Sequence, residues 1–219
     1  MAGKLAAMIN PPLGVIFILV LSLCALSWVR TPPAPDRPRA SYFRELLPLG
    51  RERFPPLPAA PDSLISANGW LAINNKGLAI IKKSEGLRLD AYFLAGQWLI
   101  GYGHAGTAEQ GMSITKDEAE RLLIDDVKQS EDAVRSLVSV PLNENEFSAL
   151  VSLAYNTGRR GFAETQVLRR LNAGDRKGAA DEFRHIIWAS VRGERVVLDA
   201  LKRRRAAERA LFLTPPLRA

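Results

Sequence analysis

Two carboxyl-bearing residues and one imidazole stand within a short run of this chain, "KKSEGLRLDAYFLAGQWLIGYGH": Glu85 directly before a glycine, Asp90 five residues later, and His104 at its end. Acid–base chemistry needs a titratable side chain held at the reacting bond, and a second carboxylate beside Glu85 would complete the simplest such pair. Asp90 is the only nearby acid. Alternation along a strand predicts Leu89 and Ala91 on the inward face and Asp90 turned outward, as an exposed polar residue. A lone histidine such as His104 is more often structural than catalytic. Metal and redox chemistry have little to work with: Cys24 is the single cysteine, which excludes an internal disulfide, a cysteine-based zinc site and a redox pair.

The elements that must position these residues follow from periodicity. Asn74 or Asn75 can cap a helix carrying Leu78, Ile81 and Lys82, with Gly86 as its stop. "LDAYFLAGQWLIGYG" predicts a hairpin turned at Ala95–Gly96. Thr115 and Glu118 stand at capping-box spacing before a helix with Ala119, Leu122, Leu123, Val127 and Val134 on its apolar face. Four further helical stretches are expected, "ENEFSALVSLAYN", "ETQVLRRLNAG", "GAADEFRHIIWAS" and "VVLDALKRRRAAERALF". The fold class expected is α+β, mostly helical, with one small sheet.

The chain carries 219 residues, 47% hydrophobic and 24% charged, a globular composition, and a net charge of +7. That charge suits an acidic polymer or surface without choosing one. Residues 14–29 are uncharged and dominated by Val, Ile, Leu and Phe. As a helix they would reach about 24 Å, short of a hydrocarbon core of about 30 Å unless Met8 to Leu13 also insert. A short membrane anchor and a cleaved signal peptide, with Lys4 as its basic region and Ala25-Leu26-Ser27 as its processing site, are the two readings. Bulky Leu23 before Cys24 argues against a lipoprotein. A proline-rich stretch over 31–68 reads as a tether, within which "SYFRELL" could form a short amphipathic helix or a turn. Arg30, Arg37, Arg39 and Arg44 follow the apolar segment, which by charge bias alone would keep the remainder cytoplasmic.

"EGLRLDAY", "GYGH", "LAYNTG", "VLRRLNAGD" and "RRAAERALFL", in this order over about Ile73 to Leu213, resemble the motif series of the phage-type lysozymes, glycoside hydrolase family 24. The C-terminal part is also similar to lysozyme-like domains of some bacterial cell-envelope proteins. The resemblance implies a two-lobed lysozyme domain over 69–215 with the hairpin in its N-terminal lobe, behind an anchor or signal over 1–30. It implies cleavage of the β-1,4 bond between N-acetylmuramic acid and N-acetylglucosamine in peptidoglycan, with no cofactor and no metal. The expected location is the inner membrane, single-pass through 14–29, with the domain in the periplasm, or export after signal cleavage.

On that resemblance Glu85 matches the general acid, a carboxyl kept protonated at a helix end facing the cleft. Asn156 matches a cleft amide, Tyr102 is cleft wall or core, and Trp98 is expected in the core. Gly101, Gly103 and His104 belong to a structural motif, the histidine paired with a carboxylate. Arg204 or Arg205 with Glu208 forms a structural ion pair. The departure lies in the partner. The family pattern places an aspartate nine residues after the glutamate and a threonine fifteen after; these positions are Leu94 and Ile100, or Phe93 and Leu99 if aligned back from "GYGH", where the hairpin is one residue short. Asp90 and Glu109 remain the possible secondary carboxylates. A glycan-binding module that lost turnover is the alternative to an enzyme. Nucleic acid is not expected as a partner, because "KRRRAAER" comes with no aromatic platform or zinc spacing.

Overall fold

A computed structural model describes residues 68–94, 96–191 and 194–216. The anchor or signal segment, the proline-rich tether with "SYFRELL" up to residue 67, and Ala95 of the hairpin turn lie outside the described residues; Asn68, expected as the end of the tether, is instead fully buried in the domain, donating to Val140 O and accepting from Leu142 N, each at 3.0 Å. Among the described residues no helix is long and apolar enough to cross a membrane.

Helix α1 (Asn75–Glu85) starts where Asn74 Oδ1 accepts from Gly77 N–H, and it stops at Gly86, whose φ of 72° suits glycine alone. That stop leaves Glu85 as the last helical residue. Strands β1 (Arg88–Leu94) and β2 (Gln97–Gly101) pair antiparallel, with the register irregular between Arg88 and Tyr92. The loop after β2 returns along the other edge of β1: Ala91 N donates to Met112 O at 2.8 Å and Ile114 N to Leu89 O at 2.9 Å. Gly101 and Gly103 have φ of 63° and 89°, and a Cβ on Gly101 would stand 3.3 Å from Ala119 Cβ. The tight "GYGH" turn therefore needs glycine twice.

Helix α2 (Lys116–Leu137) begins in a reciprocal capping box between Thr115 and Glu118, touches β2 near its start, and lies along α3 (Glu144–Ala163). Helix α3 is buried on nearly all sides through Phe147, Leu150, Val151, Leu153 and Ala154, the pattern of a central helix. It is interrupted at Gly158 (φ 72°). Helix α1 approaches it so closely that a Cβ on Gly77 would lie 2.9 Å from Ser148 Cβ. Helices α4 (Gln166–Asn172) and α5 (Arg176–Glu182) and a 3-10 turn (Phe183–His185) follow. Helix α6 (Asp199–Phe212) then packs on both α1 and α3 and brings the C-terminal arginines to the end of α1.

The fold is mostly helical with small antiparallel sheets, and two local expectations fail. "IIWAS" and "VV" are not helical: Trp188–Val191 and Glu194–Val197 form a second hairpin, β3–β4. Val196 and Val197 are β-branched and favour strand over helix where packing allows either. Leu89 does not face inward. It is 40% exposed, because the irregularity after Arg88 breaks strict alternation, while Ala91 is half-buried and Asp90 exposed.

Candidate active site

Glu85 closes α1 facing α6, with its side chain 18% exposed. Its Oε1 accepts from Arg204 Nη1 at 2.8 Å. Its Oε2 makes no hydrogen bond among the described residues, so the two oxygens are distinct: one is fixed by a guanidinium, the other has no such partner.

Behind this carboxyl lies a buried network. Arg204 Nε donates to Glu208 Oε1 at 3.1 Å and its Nη2 to Ser152 O at 3.1 Å. Glu208, fully buried, also accepts from Ser152 Oγ at 2.7 Å and from Arg205 Nη1. Arg205 donates from Nε to Ile186 O at 3.0 Å and from Nη2 to Asn156 Oδ1. Two guanidinium cations thus face two carboxylates, which is how such charges survive in an interior. Burial opposes the charge on Arg204, yet Glu85 and Glu208 outweigh it and hold its pKa above the ordinary value. Burial draws Arg205 below its ordinary value, and the like charge of Arg204 adds to that against the pull of Glu208. Both arginines of the sequence-predicted pair contact Glu208. The basic cluster is not one surface: Lys202 and Arg203 are exposed, Arg204 and Arg205 buried, and Arg209 half-buried.

Tyr102, expected as cleft wall or core, and Asn156, expected as a cleft amide, are both buried. Tyr102 is buried, 7% exposed, and its hydroxyl points to Glu120 Oε1 at 3.4 Å beside the Lys82–Glu120 ion pair. Burial, then Glu120, push its phenol above 10.0. It is core because the tight glycine turn folds it inward. Asn156 is also buried, and its Oδ1 is taken by Arg205, leaving Nδ2 as the only end able to meet a ligand. Trp98 is half-buried and stands edge-on to Phe93 with ring centroids 5.4 Å apart, outside the main core.

His104 Nδ1 lies 3.0 Å from Asp126 Oδ1, while its Nε2 accepts from Thr107 N–H at 3.1 Å. An acceptor at Nε2 fixes the neutral tautomer with the proton on Nδ1, directed at Asp126. With both nitrogens engaged, His104 pins the return loop to α2.

The hairpin offers no second carboxylate in either register. Leu94 and Leu99 are 6% and 7% exposed and Ile100 is fully buried, whereas Phe93 is 61% exposed. Asp90 accepts from Ser113 Oγ at 2.7 Å and so holds the return loop to β1. Glu109 is exposed in that loop and makes no hydrogen bond through its side chain among the described residues. No cluster of three or more His, Cys, Asp or Glu side chains that could hold a metal ion occurs among them.

Sequence reasoning missed Ser152, Ile186 O and the Asn156–Arg205 contact. The one available signal was the spacing of Ser152 and Asn156, four apart on one face of α3.

Residues 82–208 match the phage lysozyme family. An endolysin of Acyrthosiphon pisum secondary endosymbiont phage 1 is 43% identical over 141 residues, covering 64% of this chain and 97% of that protein. The SAR-endolysin of Enterobacteria phage P21 is 33% identical over 121 residues, covering 55% and 71%. Among solved structures, the muramidase domain of SpmX from Asticaccaulis excentricus superposes with a TM-score of 0.64 at 42% identity, covering 66% of this chain and 99% of that one.

Proposed function

The chain belongs to the phage lysozyme family and is a glycoside hydrolase; we propose that it cleaves the β-1,4 bond between N-acetylmuramic acid and N-acetylglucosamine in peptidoglycan with Glu85 as proton donor. The observation that carries the role of Glu85 is the asymmetry of its carboxyl. Arg204 holds Oε1, and Oε2 at the end of α1 has no hydrogen-bond partner among the described residues. In the reaction Oε2 gives its proton to the glycosidic oxygen as the C1–O4 bond breaks, and the carboxylate left behind faces the positive charge developing at C1. Arg204 is a positioning residue, tied to Glu208 and Ser152 so that Oε1 cannot rotate away. Water then adds to C1 without help from the hairpin, whose two candidate registers hold only Leu94, Leu99, Phe93 and Ile100. A positioned base contributes about 10²- to 10⁴-fold, so turnover is slow by that measure.

The rest of the chain serves delivery in this reading. Residues 1–30 form an anchor or signal, 31–67 a tether, and the domain from Asn68 to about 215 the enzyme, acting in the periplasm on the wall beside the inner membrane. The uncharged run 14–29 and the SAR-endolysin relative support an export route. The test compares the full-length chain with Glu85→Gln for clearing of purified peptidoglycan. Clearing by the first and not the second is expected; equal clearing removes Glu85 from the mechanism. Failure of both to clear while both pellet with cell wall identifies a binding module instead.

A further inference from the structure

Hydrolysis by a single carboxyl leaves one step unassisted, and the groups around Glu85 suggest what fills it. Of the acids on the hairpin side, Asp90 accepts from Ser113, Glu118 from the cap at Thr115, Glu120 pairs with Lys82 and Asp126 with His104, which leaves Glu109, exposed in the return loop, without a side-chain hydrogen bond among the described residues. The two hairpin registers that the family pattern allows for a second catalytic side chain hold only apolar residues, Leu94, Leu99 and Ile100 buried and Phe93 exposed. Neither register of the hairpin therefore supplies a side chain that could orient or deprotonate water, and no hydrogen bond among the described residues holds Glu109 in place, while Glu85 Oε2 has no hydrogen-bond partner there.

Resting on the muramidase reading, we propose that this enzyme also cleaves the same bond without water, by intramolecular transfer, leaving a 1,6-anhydromuramoyl end. The proton on Glu85 Oε2 passes to O4 of the departing N-acetylglucosamine as the C1–O4 bond breaks. The resulting carboxylate takes the proton from the C6 hydroxyl of the same muramoyl sugar as O6 bonds to C1. Atoms balance with no co-reactant: one C–O bond breaks, one forms, the proton returns to Glu85, and no water is consumed. A single carboxyl serves as acid and then as base, so the sequence needs no partner at residue 93, 94, 99 or 100. The nucleophile is already tethered to the reacting sugar. Well-oriented intramolecular groups reach effective concentrations of about 10⁵ to 10⁸ M, an advantage that an unheld water lacks. Arg204 remains on Oε1 throughout, so acid and base steps use the same open oxygen.

The test digests purified peptidoglycan sacculi with the full-length chain in heavy-oxygen water and counts new muramoyl ends by mass spectrometry over untreated sacculi. Hydrolysis places the heavy oxygen on C1 and leaves a reducing end; transfer leaves an end lighter by one water and unlabelled. New unlabelled anhydro ends are expected, falling at least about 10²-fold in Glu85→Gln, with melting temperatures compared to show that both proteins are folded. If all new ends carry the label, the transfer activity is refuted and the muramidase reading stands. If no new ends of either kind form, both fail.

Discussion

Replacing Glu208 by Gln should destabilise the domain far more than the loss of one hydrogen bond. Glu208 is fully buried and accepts from Arg204 Nε at 3.1 Å, from Arg205 Nη1 and from Ser152 Oγ at 2.7 Å. In the native chain two buried guanidinium groups face two carboxylates. In Glu208→Gln the shape is kept but both cations face Glu85 alone, whose contact is with Arg204. Arg205 is then left with two neutral acceptors, Ile186 O and Asn156 Oδ1. Removing one partner of a buried ion pair costs about 3–5 kcal/mol, since the remaining charge stays uncompensated. For a domain of this size each kcal/mol moves Tm by about 2–4 °C, so a fall of roughly 10 °C is expected. Thermal melting by circular dichroism and urea unfolding with an unchanged slope would measure it. Glu85→Gln is the control, since Arg204 keeps Glu208 and the lost carboxylate is partly solvated; it should cost clearly less. A loss below about 1 kcal/mol in Glu208→Gln would refute the view that this network is held by charge balance.

The hairpin register can be tested by introducing the missing acid: Leu94→Asp buries a new charge and should cost several kcal/mol, whereas Phe93→Asp on the exposed side should cost little, as urea unfolding would show. Either folded variant that turns over peptidoglycan about tenfold faster marks the place where a base was missing. The Glu120 carboxyl is held below its ordinary value of 4.5, chiefly by the hydrogen bond from Lys82, so its contribution to stability is present above that value and lost as pH falls through its lower folded pKa. Melting curves between pH 6 and 3 should accordingly show a shallower acid limb for Glu120→Gln than for the native chain. His104→Ala should lower stability by about 1–3 kcal/mol through loss of the Asp126 and Thr107 contacts while the folded protein keeps its activity, measured as clearing per folded molecule.

Much of this arrangement is written in short-range patterns. The caps at Asn74 and Thr115, the glycines of the tight turn, and the Arg204–Glu208 and Arg205–Glu208 spacings each depend on residues within one helical turn or one loop. What escapes such reading depends on distant partners. The contact of Arg205 with Asn156 joins residues 49 apart, and that of Arg204 with Glu85 joins residues 119 apart. Strands β3 and β4 were hidden because four-residue runs carry too few turns of either period to separate strand from helix. Leu89 misled because one irregularity in β1 reverses the alternation on which an inward face is inferred. Tyr102 could be placed only once the fold showed Glu120 beside its hydroxyl.

The central claim is that the open oxygen of Glu85 meets the scissile bond while Arg204 keeps the other. A structure of Glu85→Gln with a bound oligosaccharide of alternating N-acetylglucosamine and N-acetylmuramic acid tests it directly. One glycosidic oxygen is expected within about 2.6–3.2 Å of the residue 85 side-chain atom that does not contact Arg204. A glycan bound with no glycosidic oxygen in reach of residue 85, or seated where Arg204 would have to leave its place, would contradict it.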